Sequence, residues 1–342
     1  MKNIIFTCIF TLLLVLGITA KAINDNESIS ELLLEEGYDE NDLKIYNSYE
    51  NIEKNIVFNK NELLDVYYDK KNTNTKKPVV IFIYGGSWVT GNKIKYTKFG
   101  ILLEKSGYVG VIPNYTLFPQ GTVEDMVDDV YHAIQWTYQN IEKYGGDPEQ
   151  IILTAHSAGS HLAALTIVKA SLHLTNNGSP LSSLPPLKKA VLMNGPYKLN
   201  EEVIFHSVGK SVGNFFKNLF NQKQKNNYNS KADPNQSKLL PQFLLKYYND
   251  QNISPIEILK KIRNNSIENH FNVGKFIFVY TSDDESVPES SDKNLIKEIK
   301  RTSKDVQYEY IYLNGFQHAT VIYGIRDSDP EIENLYLSLI KK

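Results

Sequence analysis

Cysteine is almost absent: the 342-residue chain holds one, Cys8, inside its apolar N-terminal stretch. No disulfide can close within the chain, and no thiolate beyond Cys8 is offered to a metal or a substrate. An excess of charge of either sign is missing too. Lys and Arg number 37 against 39 Asp and Glu, with no basic stripe and no acidic tail, which argues against a nucleic-acid partner. A run of about 20 apolar residues, the length of a membrane-spanning helix, is also wanting. What is present is a 42% hydrophobic, 22% charged composition, enough for the core of one large globular domain or two ordinary ones.

The N-terminus reads as a leader. Lys2 precedes the apolar run Ile4 to Ile18, and Ala20-Lys21-Ala22 offers small residues where a signal peptidase cuts. A signal peptide is therefore expected over 1–22, with an uncleaved signal anchor, and hence membrane association, as the alternative. Either form delivers the body of the protein to the lumen or the outside. Sequons at Asn26, Asn114, Asn177, Asn235, Asn252 and Asn264 are compatible with that route.

From residue 23 onward one domain is expected. "ELLDVYYD" (62–69) alternates as a strand should, the early alternating strands suit an antiparallel edge of the sheet, and "KKNTNTKK" reads as a hairpin-type connection. "PVVIFIY" (78–84), "YVGVIPN" (108–114), "QIILTA" (150–155), "KAVLMN" (189–194) and "KFIFVYT" (275–281) are continuous apolar runs, the mark of strands buried on both faces. Between them, Val123 to Tyr144 carries a 3.6-residue stripe through Met126, Val127, Val130, Ala133, Ile134 and Thr137, and Ser157 to Ser171 reads as another helix. The alternation predicts an α/β fold: a mostly parallel central sheet with helices on both faces. The segment of about 200–272 is too long for a simple crossover. It reads as a helical cap insertion carrying a polar insert (221–237), with Phe215, Phe216, Leu219 and Phe220 either forming a greasy surface or closing the cap's own core.

"ILTAHSAGSHLAAL" (152–165) runs from buried strand through a tight turn into a helix. Small residues two before and two after Ser157, namely Ala155 and Gly159, are what a sharp nucleophile elbow needs; a serine merely capping a helix is the plainer alternative. A nucleophilic serine requires a base and an orienting acid, in the chain order Ser, acid, His. Of seven histidines only His270 and His318 come late enough, and His270 precedes the strand that should bear the acid. His318, after "YEYIYLNGF", is the expected base. "SDDESVPES" supplies Asp283, Asp284 and Glu285 as candidate acids. "IYGGSW" (83–88) ends a strand with two glycines, so the amides of Gly85 or Gly86, with that of Ala158, are the expected oxyanion donors. Tyr84, Trp88 and His156 flank these parts and are the candidate substrate-contacting residues.

"LFPQGTVEDMVDDVYHAIQWTYQNIEKYGGDPEQIILTAHSAGSHLAAL" (117–165), with "LDVYYD", "IYGGSWVTGNK" and "DDESVPES" in order, resembles the isoprenylcysteine methylesterase branch of the α/β-hydrolases. That branch is also similar to kynurenine formamidases and feruloyl esterases, and the resemblance covers roughly residues 60–340. It implies an α/β-hydrolase fold and a carboxylic ester hydrolase acting on a small-molecule ester without metal or cofactor. It carries Ser157, Asp284 and His318 across as a triad, since the family's Asp stands three residues before the Val/Ile of a Val/Ile-Pro pair, here Val287-Pro288. Tyr84 replaces the family's usual histidine before the glycine pair, and Ala155 replaces the first elbow glycine. An arylformamidase or a short-chain or aromatic esterase is the nearest alternative function. A hydrolase fold used only for extracellular binding is the alternative of another class.

Overall fold

The computed structural model describes residues 38–200, 203, 243–244 and 246–341. The leader expected over 1–22, the polar insert 221–237 and the four apolar residues Phe215, Phe216, Leu219 and Phe220 lie outside the described residues. Among the described residues no helix is long and apolar enough to cross a membrane.

The continuous apolar runs form the middle of one sheet. Its strands are β1 (Ile52–Asn59), β2 (Glu62–Tyr67), β3 (Lys77–Ile83), β4 (Val109–Pro113), β5 (Gly146–His156), β8 (Lys189–Met193), β9 (Phe276–Asp283) and β10 (Tyr308–Gln317). A separate small hairpin pairs β6 (Thr175–Asn176) with β7 (Ser179–Pro180). The sheet order is β1-β2-β4-β3-β5-β8-β9-β10. β1 with β2 and β2 with β4 run antiparallel, and every later neighbour is parallel. Val79 to Ile83 are wholly buried; each such side chain contributes about 1.5–3 kcal/mol by leaving water.

Two expectations need correction. The early strands do form the antiparallel edge of the sheet, with β1, which the sequence reading did not identify, outside β2; but Leu64 to Tyr67 are all buried instead of alternating. Nor do β2 and β3 form a hairpin, because β4 lies between them and pairs with both. Alternation describes burial on one face, and a strand roofed by helices on both faces has no reason to show it.

Helices cover both faces. α1 (Glu40–Ser48), α2 (Thr97–Lys105), α7 (Thr320–Asp327) and α8 (Pro330–Lys341) pack together on one side. α3 (Val123–Asn140), α4 (Ala158–Ser171), α5 (Pro255–Lys260) and α6 (Ser290–Thr302) pack on the other. α3 starts at a capping box, in which the Thr122 hydroxyl accepts from Asp125 N and Asp125 returns the bond to Thr122 N. All six residues of its predicted stripe are buried. α4 is buried around most of its circumference, which places the residues at its start deep in the molecule.

Candidate active site

The site stands at the C-terminal ends of β3, β5, β8 and β9. Ser157 lies between the end of β5 and the start of α4 with φ 52° and ψ −123°, a conformation that costs a non-glycine residue about 1–3 kcal/mol. Its neighbours hold it there. The Ser157 amide donates to Met193 O (2.9 Å), and its carbonyl accepts from His161 N (3.1 Å). Ser160, which the sequence reading passed over, braces the turn: its hydroxyl donates to Met193 O (2.9 Å) and accepts from Met193 N (3.0 Å). Gly159 permits the close approach, since a Cβ there would meet the carbonyls of Ile83 and Tyr84.

His318 follows β10. Its Nε2 lies 2.9 Å from Ser157 Oγ, and its Nδ1 lies 2.7 Å from Asp284 Oδ2. An ionised carboxylate only accepts, so Nδ1 carries the proton and Nε2 is left to accept from the serine hydroxyl. Asp284 is buried, with Oδ1 accepting from Ser286 N (2.7 Å) and Val287 N (2.8 Å) and Oδ2 accepting also from Asn194 Nδ2 (2.6 Å). Burial alone would raise its pKa, but the bond and charge of His318, with the two backbone amides, outweigh that and hold it below the usual carboxylate range. Asn194, just past β8 with φ 50°, was not anticipated; its amide also donates to Thr281 Oγ1 (2.7 Å).

Of the three carboxyls that the loop offers, Asp284 is the one that turns inward to His318. Asp283 and Glu285 are exposed, and Asp283 accepts from its neighbour Ser282 (2.7 Å). His270 bonds Ser303 Oγ (3.0 Å), far from Ser157 in the fold, at the opposite end of β9.

The glycine pair of "IYGGSW" abuts the elbow. A Cβ on Gly85 would come 2.9 Å from Ser157 Cβ, and Gly86 has φ +146°, where a Cβ would run into the Thr90 carbonyl. Ala158 opens α4, so its amide has no place in the intrahelical ladder. Gly85 and Ala158 therefore border the serine, with Gly86 next in the chain.

The three candidate substrate contacts are held otherwise. Tyr84 is wholly buried, stacked between Tyr96 (5.0 Å) and Tyr115 (4.7 Å) with its hydroxyl donating to Asn114 Oδ1 (3.2 Å), so it belongs to the core. That bond, together with the one Asn114 Oδ1 accepts from Lys93 N, also ties this sequon residue into the interior. Trp88 is buried against Phe243 (4.6 Å), with Nε1 donating to His161 Nδ1 (3.1 Å). His156 is nearly buried, and Nε2 donates to the main-chain carbonyl of His318 (2.8 Å). Burial and, next, the His318 charge push its pKa down to about 3, so it is neutral. Among the described residues, no group of three or more His, Cys, Asp or Glu side chains is arranged to hold a metal ion. The assembled parts are those needed for general-base attack by a serine hydroxyl beside a cluster of backbone donors.

Comparison with known proteins follows the same lines. The profile of the BD-FAE family matches residues 64–295. The isoprenylcysteine alpha-carbonyl methylesterase of Arabidopsis thaliana is 34% identical over 147 residues, 43% of this chain and 34% of that protein. The esterase LipQ of Mycobacterium tuberculosis is 37% identical over 97 residues, 28% of this chain and 23% of that protein. The matched regions span between 31% and 46% of the methylesterase relatives' own lengths. In structure, the hyperthermophilic esterase from the archaeon Pyrobaculum calidifontis superposes with a TM-score of 0.60 over 97% of this chain and 96% of its own, at 17% identity. Esterase B from Lactobacillus rhamnosis gives 0.56 over 88% and 91%, at 16% identity. At such identities the likeness is one of fold: the chain has the α/β-hydrolase fold.

Proposed function

Since the chain belongs to the BD-FAE family, we propose that it is a serine carboxylic ester hydrolase working through an acyl-enzyme. The observation that carries this reading is the hydrogen-bonded series Ser157–His318–Asp284 at 2.9 and 2.7 Å, built on a strained elbow. Relatives named as methylesterases and esterases support it.

In the first half-reaction His318 Nε2 takes the hydroxyl proton while Ser157 Oγ attacks the ester carbonyl. The carbonyl oxygen becomes an alkoxide facing the amides of Gly85, Gly86 and Ala158; one such donor is worth about 10²–10³ in rate. Asp284 keeps the imidazole in its Nδ1–H form and stabilises the imidazolium. The C–O bond then breaks, the alcohol departs with the proton from Nε2, and water repeats the sequence on the acyl-serine. Tyr84 in place of the family's histidine removes no proton-transfer group from this series.

The Arabidopsis relative's name makes prenylcysteine methyl esters the first specific substrate class to try. A lumenal or secreted protein would meet the free amino-acid ester, because prenylated proteins face the cytosol. Delivery by the 1–22 leader is part of the same proposal, and N-terminal sequencing of the exported protein tests it. Activity is tested by comparing wild type with Ser157→Ala for fluorophosphonate labelling and for hydrolysis of p-nitrophenyl acetate and butyrate. Serine-dependent labelling and turnover are expected. A folded wild type that neither labels nor turns over would move the binding-protein reading to the front.

A further inference from the structure

The loop bearing the glycine pair is held in an unusual conformation. Gly86, Ser87 and Trp88 have successive positive φ values of 146°, 54° and 64°, and two of the three carry side chains. Inside the loop only Val89 N and Thr90 N close on Gly86 O, at 3.1 and 3.0 Å. Outside it, the Trp88 carbonyl accepts from Phe118 N (2.9 Å) and the Trp88 indole is fixed on two sides. Its ring stacks on Phe243 at 4.6 Å and 10°, and its Nε1–H donates to His161 Nδ1 at 3.1 Å.

His161 is fully buried in the first turn of α4 and has no part in the acyl-transfer steps. Its own amide donates to Ser157 O (3.1 Å), and its Nε2 donates to the Ile253 carbonyl (2.7 Å). One ring nitrogen accepts and the other donates, which only the neutral Nε2–H tautomer can do. Burial favours that form, holding the pKa down to about 4. A single imidazole thus joins the nucleophile's helix, the glycine loop and the segment preceding α5.

On the reading of Ser157 as nucleophile, we propose that His161 is a positioning residue: through Trp88 it holds the Gly85–Gly86 amides toward the carbonyl that Ser157 attacks, and it registers Ile253 against that loop. Its contribution therefore belongs to the transition state, where the alkoxide forms, and not to binding of the ester.

The test compares wild type with His161→Leu, His161→Gln and Trp88→Phe. Leucine fills space but neither accepts nor donates; glutamine does both; phenylalanine keeps the stack on Phe243 and removes only the indole donor. We expect kcat on p-nitrophenyl butyrate to fall about 10- to 100-fold in His161→Leu and Trp88→Phe with KM within about twofold, and His161→Gln to restore most of it. Hydrogen exchange read by mass spectrometry should show the Val89 and Thr90 amides losing protection in the same two variants and regaining it with glutamine. Unchanged kcat and protection in Trp88→Phe, or glutamine failing to restore what leucine loses, would overturn the proposal. A wild type without turnover whose loop protection still depends on the His161–Trp88 bond would sink the esterase reading while leaving the clamp in place.

Discussion

His156 donates its Nε2 proton to the main-chain carbonyl of His318 at 2.8 Å, and the two rings lie 4.8 Å apart. The residue before Ser157 thus fixes the loop that carries His318. It does so as a neutral group, so under the proposed mechanism no second positive charge would oppose a His318 imidazolium.

Replacing His156 by Leu removes the donor and should lower kcat by about 10- to 100-fold through misplacement of His318. KM should hardly change. His156→Gln, which can still donate, should recover a large part. Steady-state kinetics on p-nitrophenyl butyrate checks this, and equal losses in both variants would mean that ring packing alone matters.

Asp284→Asn keeps the size of the acid but removes the charge that selects the Nδ1–H tautomer. A loss in kcat of about 10⁴-fold is expected. Asp283→Asn, on the exposed neighbour, should leave kcat within about twofold, as expected for a surface change. The pair of rates, measured on one ester, decides between the two acids that the sequence left side by side.

Two buried carboxyls should give stability opposite pH slopes. Asp284 has a depressed folded pKa, so its contribution is present above the ordinary value of about 3.9 and is lost as pH falls through the folded value. Asp292, fully buried in α6 beside the Tyr197 hydroxyl, is pushed well upward by burial and then by the nearby Asp284 charge. The folded chain keeps that proton after the unfolded chain has lost it. Stability therefore falls with rising pH from about 3.9 toward the raised value. Urea denaturation of Asp292→Asn between pH 5 and 9 should show that fall removed, with a gain of about 1–3 kcal/mol at the alkaline end. A curve parallel to wild type would refute a titrating Asp292.

Lys93 and Asp65 form an interior ion pair at 2.8 Å, and Lys93 Nζ also donates to Tyr46 OH (2.9 Å) and Asn55 Oδ1 (2.7 Å). Burial disfavours charge on both partners, and their mutual attraction offsets part of that cost. Lys93→Met should destabilise by about 3–5 kcal/mol because it strands the carboxylate. Adding Asp65→Asn should return part of the loss. Thermal and urea unfolding of the single and double variants measure the coupling.

Much of the fold was legible because its signals are local. β3, β4, β5, β8 and β9 announce themselves as apolar runs, α3 as a 3.6-residue stripe, and the Ser157 elbow as small residues between strand and helix. The order of serine, acid and histidine follows from the chain as well. Neighbour relations were not legible, because pairing joins residues far apart in sequence. Nothing in residues 62–83 says that β4 will separate β2 from β3. Nor does the loop after β9 say which carboxyl turns inward: Asp284 is selected by the Ser286 and Val287 amides, by Asn194 from just past β8 and by His318 from beyond β10. Tyr84, His156 and His161 lie beside the motifs, yet their roles depend on which way each side chain leaves the backbone and what waits there. One enters an aromatic stack, one grips the base loop, and one grips the glycine loop. Composition and periodicity determined the elements and the chemical inventory; packing decided the partners, because hydrogen bonds and burial act through distance in space, not through spacing along the chain.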